Sequence, residues 1–154
     1  RSMQRAGRAV PKAADILKYI APRALAEFML TSRFGDPSRV TDKLIDQWYE
    51  MWMREGQRAA ILARLRSYSS ADIVKVTAAI RVPTLILWGE ENPQAPVEQA
   101  AELRQMLGSA PGVTIITYPG VGHMAAEEAG PAIAKDIQTW LAAPTVRQKE
   151  SVPP

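Results

Sequence analysis

No cysteine occurs in the chain, and only one histidine, His123. The first absence excludes disulfides, a thiolate nucleophile and cysteine-held metals. The second argues against a conventional zinc site, which needs several His or Cys ligands. No stretch of ~18 apolar residues is present, so no membrane span is expected. The opening Arg1-Ser2-Met3-Gln4-Arg5 lacks the apolar stretch that a secretory signal needs, and a cytoplasmic protein is the expectation. Charge is unevenly spread: residues 1–82 carry 15 Lys/Arg against 8 Asp/Glu, whereas residues 83–154 carry 4 against 8. The basic residues stand singly among acids and apolar residues. With no compact stripe and no recognition motif, nucleic-acid binding is not expected.

What is present divides into two halves. At 154 residues and 47% hydrophobic content, the chain can form one domain with a modest core. Residues 1–82 read as helices only. Between Pro11 and Leu30 a helical face runs through Ile16, Leu17, Ile20, Ala24, Leu25 and Phe28, with Pro22 expected to kink or split it. Gly35-Asp36-Pro37-Ser38 is a turn by composition. Thr41 is placed to cap a helix carrying Leu44, Ile45, Trp48, Met51 and Trp52, which Gly56 ends. A shorter helix from Gln57 to Arg66 should set Ile61 and Leu65 on its apolar face, before a polar break at Ser67–Ser70.

Residues 83–142 change pattern. Pro83-Thr84-Leu85-Ile86-Leu87-Trp88 is a continuous apolar run stopped by Gly89, as expected of a parallel strand buried on both faces. Val97–Leu107 reads as a helix, Val113–Tyr118 as a β-branched strand, and Pro119-Gly120-Val121-Gly122 as a turn. Pro131 then opens a helix with Ile133, Ile137, Trp140 and Leu141 on one face. This is a βαβα unit of an α/β fold. Residues 143–154 read as a disordered tail. Two parallel strands do not make an independently stable sheet, so further strands are expected from elsewhere.

Two blocks stand out: the run from Ile80 to Trp88-Gly89-Glu90-Glu91-Asn92-Pro93 and, about 30 residues later, Tyr118-Pro119-Gly120-Val121-Gly122-His123. At these residues the chain resembles the C-terminal part of the α/β-hydrolase superfamily. There a strand ending in Trp-Gly-Glu-x-Asp-Pro precedes the catalytic acid, and the next strand leads to a Gly-His turn. Phe34–Thr41 and the helices after it resemble the cap inserted ahead of those strands. The resemblance covers about residues 15–142 and implies a helical cap or lid over 1–82 and the C-terminal part of the hydrolase core over 83–142.

The residues agree with that placement. A histidine just past the C-terminal end of a strand lies where open α/β sheets bind ligands. Gly120 and Gly122 permit unusual backbone angles that would aim the ring into a cleft. An imidazole suits taking a proton from a serine and returning it to a leaving group. Without the family context, His123 would be read as filling a turn. The family's acid position holds Asn92, whose amide can accept a hydrogen bond from the imidazole but cannot balance the imidazolium charge. In a serine protease the corresponding change costs ~10⁴ in turnover. Glu90 or Glu91 would serve only with a shift of loop register, and otherwise form a solvated acidic loop; an acid from an earlier strand is a third source.

No Gly-x-Ser-x-Gly occurs. Gly108-Ser109-Ala110-Pro111-Gly112 sits at a helix-to-strand turn, the reverse of a nucleophile elbow. The resemblance therefore implies a hydrolase of small apolar esters or related compounds, with His123 as general base, no cofactor or metal, and its nucleophile outside this chain. Trp48 and Trp52, with Met51 and Met53, would line an apolar substrate pocket or simply pack the cap on the core. The other expectations are a non-catalytic binding protein of the same fold, and a chain that pairs its strand 84–88 with the missing N-terminal hydrolase core or with another copy.

Overall fold

The computed structural model describes residues 12–67 and 70–143. The expected tail falls at 144–154, outside the described residues apart from Ala143, which ends the last helix. A 3-10 segment, Lys12–Lys18, leads into α1 (Arg23–Thr31), with Pro22 at its N-cap. Pro22 thus splits the expected helix in two, since its ring fixes φ at −68° and no earlier carbonyl can be served from its nitrogen. The face that is buried differs from the expected one. Ala26 and Leu30 are covered, whereas Ile16, Ile20 and Phe28 are about 60% exposed.

Asp36 caps the 3-10 turn Pro37–Arg39 by accepting from Ser38 N at 3.0 Å. Thr41 Oγ1 accepts from Leu44 N at 3.2 Å and opens α2 (Asp42–Met53), as its position before Asp42 implied. Gly56, at φ +74°, turns the chain into α3 (Gln57–Ser67). In α3 the buried residue is Leu62, while Ile61 and Leu65 are exposed; only one side of this helix meets protein. A helix the polar break had hidden, α4 (Ser70–Ala78), completes the helical half.

β1 (Thr84–Gly89) and β2 (Val113–Tyr118) pair in parallel, Thr84 beside Val113 through Gly89 beside Tyr118, with α5 (Glu98–Met106) between them. Alternate side chains serve opposite faces of the sheet. Ile86, with Trp88 and Ile115, packs on Ala100, Leu103 and Leu107 of the α5 region. Leu87, Ile116 and Tyr118 pack on Ala125, Ala129 and Ile133 of α6 (Ala125–Ala142). Full burial of β1 is not reached: Ile86 and Gly89 are buried and its other residues half-buried, because β2 is its one neighbour among the described residues.

α6 begins six residues before Pro131. It is two helical pieces joined at Ala129, whose φ of −132° is not helical, and Pro131 lies in the first turn of the second piece. Tyr118 Oη donates to Asp136 Oδ2 at 2.8 Å and ties β2 to that second piece. Burial, reinforced by Asp136, pushes the phenol pKa up to about 12.

Candidate active site

Because the strands are parallel, β1 and β2 end at the same edge, and the loops that follow them are laced together there. Glu90 N donates to Tyr118 O at 3.0 Å and Glu91 N to Val121 O at 2.9 Å. A third segment joins them from the helical half: His123 N donates to Arg33 O at 2.7 Å. The three backbones meet so closely that a Cβ on Gly89 would collide with Val121 and Gly122, one on Gly122 with Arg33, Phe34 and Gly35, and one on Gly35 with Gly120 and Gly122. Gly120, at φ +71°, makes the turn. Gly122 has no positive φ, so its role differs from the expected freedom of dihedral angle: it is there because nothing larger fits.

His123 follows this crossing and keeps solvent access, although enough protein surrounds the ring for desolvation to lower its pKa below the ordinary 6.5. The Arg33 guanidinium acts in the same direction by disfavouring a second positive charge. Among the described residues the imidazole makes no hydrogen bond. Arg33 Nη1 is held by Met29 O at 2.6 Å, and burial lowers its own pKa.

Asn92 stands in the neighbouring loop, one residue beyond the Glu91–Val121 bond. Its Oδ1 is engaged locally, accepting from Gln94 N at 3.0 Å and Ala95 N at 3.1 Å, while Trp88 Nε1 donates to Ala95 O at 2.9 Å and pins the same loop. The structure therefore brings the loops of Asn92 and His123 together without a bond between the two side chains. Glu90 faces Thr117, accepting from its Oγ1 at 2.7 Å, and Glu91 is exposed. Trp48 and Trp52 are half-buried against the cluster Ala26, Leu30, Phe34 and Ile45, which Met124, the residue after His123, also joins.

Two residues of this region were not singled out in the sequence. Arg33 precedes an ordinary turn and becomes relevant only through the chain crossing. Glu128, 5% exposed, accepts from Gly35 N at 2.8 Å and Gly122 N at 2.9 Å. The one local signal is an acid five positions after His123 in an alanine-rich stretch, and Glu127, its exposed neighbour, shares it. Among the described residues no group of three His, Asp or Glu is placed to hold a metal, and no helix is long and apolar enough to cross a membrane.

Residues 57–153 match the family described as TAP-like protein. A curated relative, the non-heme chloroperoxidase of Burkholderia pyrrocinia, is 34% identical over 80 residues, which is 52% of this chain and 28% of that protein. Among solved structures, Cfl2 from Burkholderia cenocepacia superposes with a TM-score of 0.68 at 24% identity, over 86% of this chain and 45% of its own. An α/β-hydrolase fold protein from Burkholderia ambifaria gives 0.65 at 19% identity (89% and 50%). A thermophilic esterase from Thermogutta terrifontis gives 0.63 at 22% (88% and 52%). The chain spans about half the length of the solved proteins it resembles, and it shares their fold over that half.

Proposed function

The chain belongs to the TAP-like family of the α/β-hydrolase superfamily, and from that premise we propose that it forms the cap and C-terminal core of a hydrolase in which His123 is the general base. The cap is residues 1–82 and the core portion 83–142. The observation that carries this reading is the backbone crossing at Gly35, Gly89 and Gly122, which holds a single solvent-accessible imidazole at the C-terminal edge of a parallel sheet. A lowered pKa keeps that ring neutral, the form in which it accepts a proton from a nucleophile. The nucleophile and oxyanion hole come from the N-terminal hydrolase core that completes the sheet. Trp48 and Trp52 form part of the wall for a small apolar substrate, an ester being the simplest.

Asn92 favours a second reading. Its Oδ1 already serves two backbone amides, so at the family's acid position it holds its own loop and leaves the imidazole unbonded. A protein of this fold that binds a small molecule without turning it over fits that arrangement. Cleavage of p-nitrophenyl acetate decides between them, measured on the chain together with the polypeptide that completes its sheet. Catalysis predicts turnover that falls by at least ~10³ in His123→Ala. Turnover that survives the substitution removes His123 as the base, and none above background in the wild type supports the binding protein.

A further inference from the structure

We propose that Glu128 is the positioning residue for His123, its carboxylate clamping the catalytic-histidine loop to residues 33–35 of the cap segment. The inference rests on the hydrolase reading of His123 and adds to it the group that sets where the imidazole stands. One carboxylate accepts from two amides that lie far apart in sequence: Gly122 N, in the Val121–Gly122 peptide unit, at 2.9 Å, and Gly35 N, 93 residues from Glu128, at 2.8 Å. His123 N is itself bonded to Arg33 O, so the two consecutive peptide units that lead to the His123 Cα, one on each side of Gly122, are tied to residues 33–35, the first through Glu128 and the second directly.

The chemistry calls for a glutamate. The two amides bond different oxygens, Gly122 N to Oε1 and Gly35 N to Oε2, so a carboxamide in the same pose would set its NH2 against one of the two donors, whereas a carboxylate offers an acceptor to each. The charge also shortens and strengthens both bonds. The carboxylate is held in turn. Glu128 lies directly before the break at Ala129, and Arg39 Nη2 donates to its main-chain oxygen at 2.5 Å. Gly122 and Gly35 admit no Cβ, so the two backbones approach closely enough for one side chain to bridge them. Movement of residues 33–35 of the cap segment is thereby passed to the histidine loop through the Glu128 carboxylate as well as through the His123–Arg33 backbone bond.

The test uses the chain as it stands, comparing Glu128→Gln and Glu128→Ala with Glu127→Gln as the exposed control. Amide hydrogen exchange at Gly35 and Gly122 and the ring resonances of His123 are read by NMR. The proposal expects both amides to lose protection and the His123 ring signals to move in the Glu128 variants, with the control unchanged. A folded Glu128→Gln or Glu128→Ala in which Gly122 stays protected and the His123 signals stay put overturns it, even if stability has fallen. Glu128→Gln keeps the volume and one acceptor, so it reads the site if the alanine variant does not fold. In the completed enzyme kcat should fall on the order of 10²-fold with KM little changed, since displacing a base costs turnover and leaves the pocket intact. Should His123→Ala leave activity untouched while the NMR changes appear, the clamp stands and the hydrolase reading fails; the reverse pattern removes the clamp alone.

Discussion

At position 123 two influences on the imidazole act in the same direction, desolvation first and the Arg33 charge second. Both lower the pKa, so at a pH just under 6.5 the unfolded chain binds a proton on His123 that the folded chain does not. Stability then rises with pH across the window between the folded pKa and 6.5, and falls as acid forces the ring to charge. Replacing Arg33 by Gln removes the smaller cause and leaves the larger. The His123 pKa, followed by NMR titration, should rise while remaining below 6.5; no change would mean that the guanidinium does not act on the ring. His123 was recognisable in the sequence only because the Trp88-Gly89 and Gly120-Val121-Gly122-His123 blocks together resemble the superfamily's; alone it would read as filling a turn. Arg33 and Glu128 were not, because their meaning depends on contacts made across about 90 residues.

Among the elements, the strands were legible because Thr84–Trp88 and Val113–Tyr118 are apolar or β-branched throughout and bounded by Gly or Pro. The start of α2 was legible because Thr41 precedes an acidic first turn. The helical faces were less so. Among the described side chains of α4, Thr77 is buried while Val74 and Val76 are exposed, an inversion that no periodicity rule anticipates. In α6 the proline signal marked the second helical piece and concealed the first. The glycine crossing belongs to this scale because it joins the ends of β1 and β2 to the segment after α1. Gly122→Ala should cost ~1–3 kcal/mol, as overpacking against backbone does, read as a lower urea midpoint with an unchanged slope. Gly112, with open space where its Cβ would stand, is the control and should tolerate alanine. Equal effects at the two positions would show that the loops can separate without strain.

At the scale of the whole molecule, the sheet has a composition that asks for more cover than the two strands and two helical layers among the described residues supply. β1 is half-buried along most of its length, and Tyr19, Ile20, Phe28, Val76 and Val82 are each more than half exposed. Apolar surface of this kind, beside strands composed for a sheet interior, favours association with whatever can cover it. Taken without the polypeptide that completes its sheet, the chain should therefore self-associate. Its sedimentation coefficient should rise from micromolar to hundreds of micromolar concentration. The uneven charge of the two halves offers a competing cause, attraction between the basic segment 1–82 and the acidic remainder, and ionic strength separates the two. Salt at about 1 M shortens the screening length to roughly 3 Å and would dissolve a charge-driven assembly. Association through apolar surface should persist or strengthen there. A monomer at every concentration would mean that the half-fold satisfies itself, and the case for a missing core would lose its physical basis.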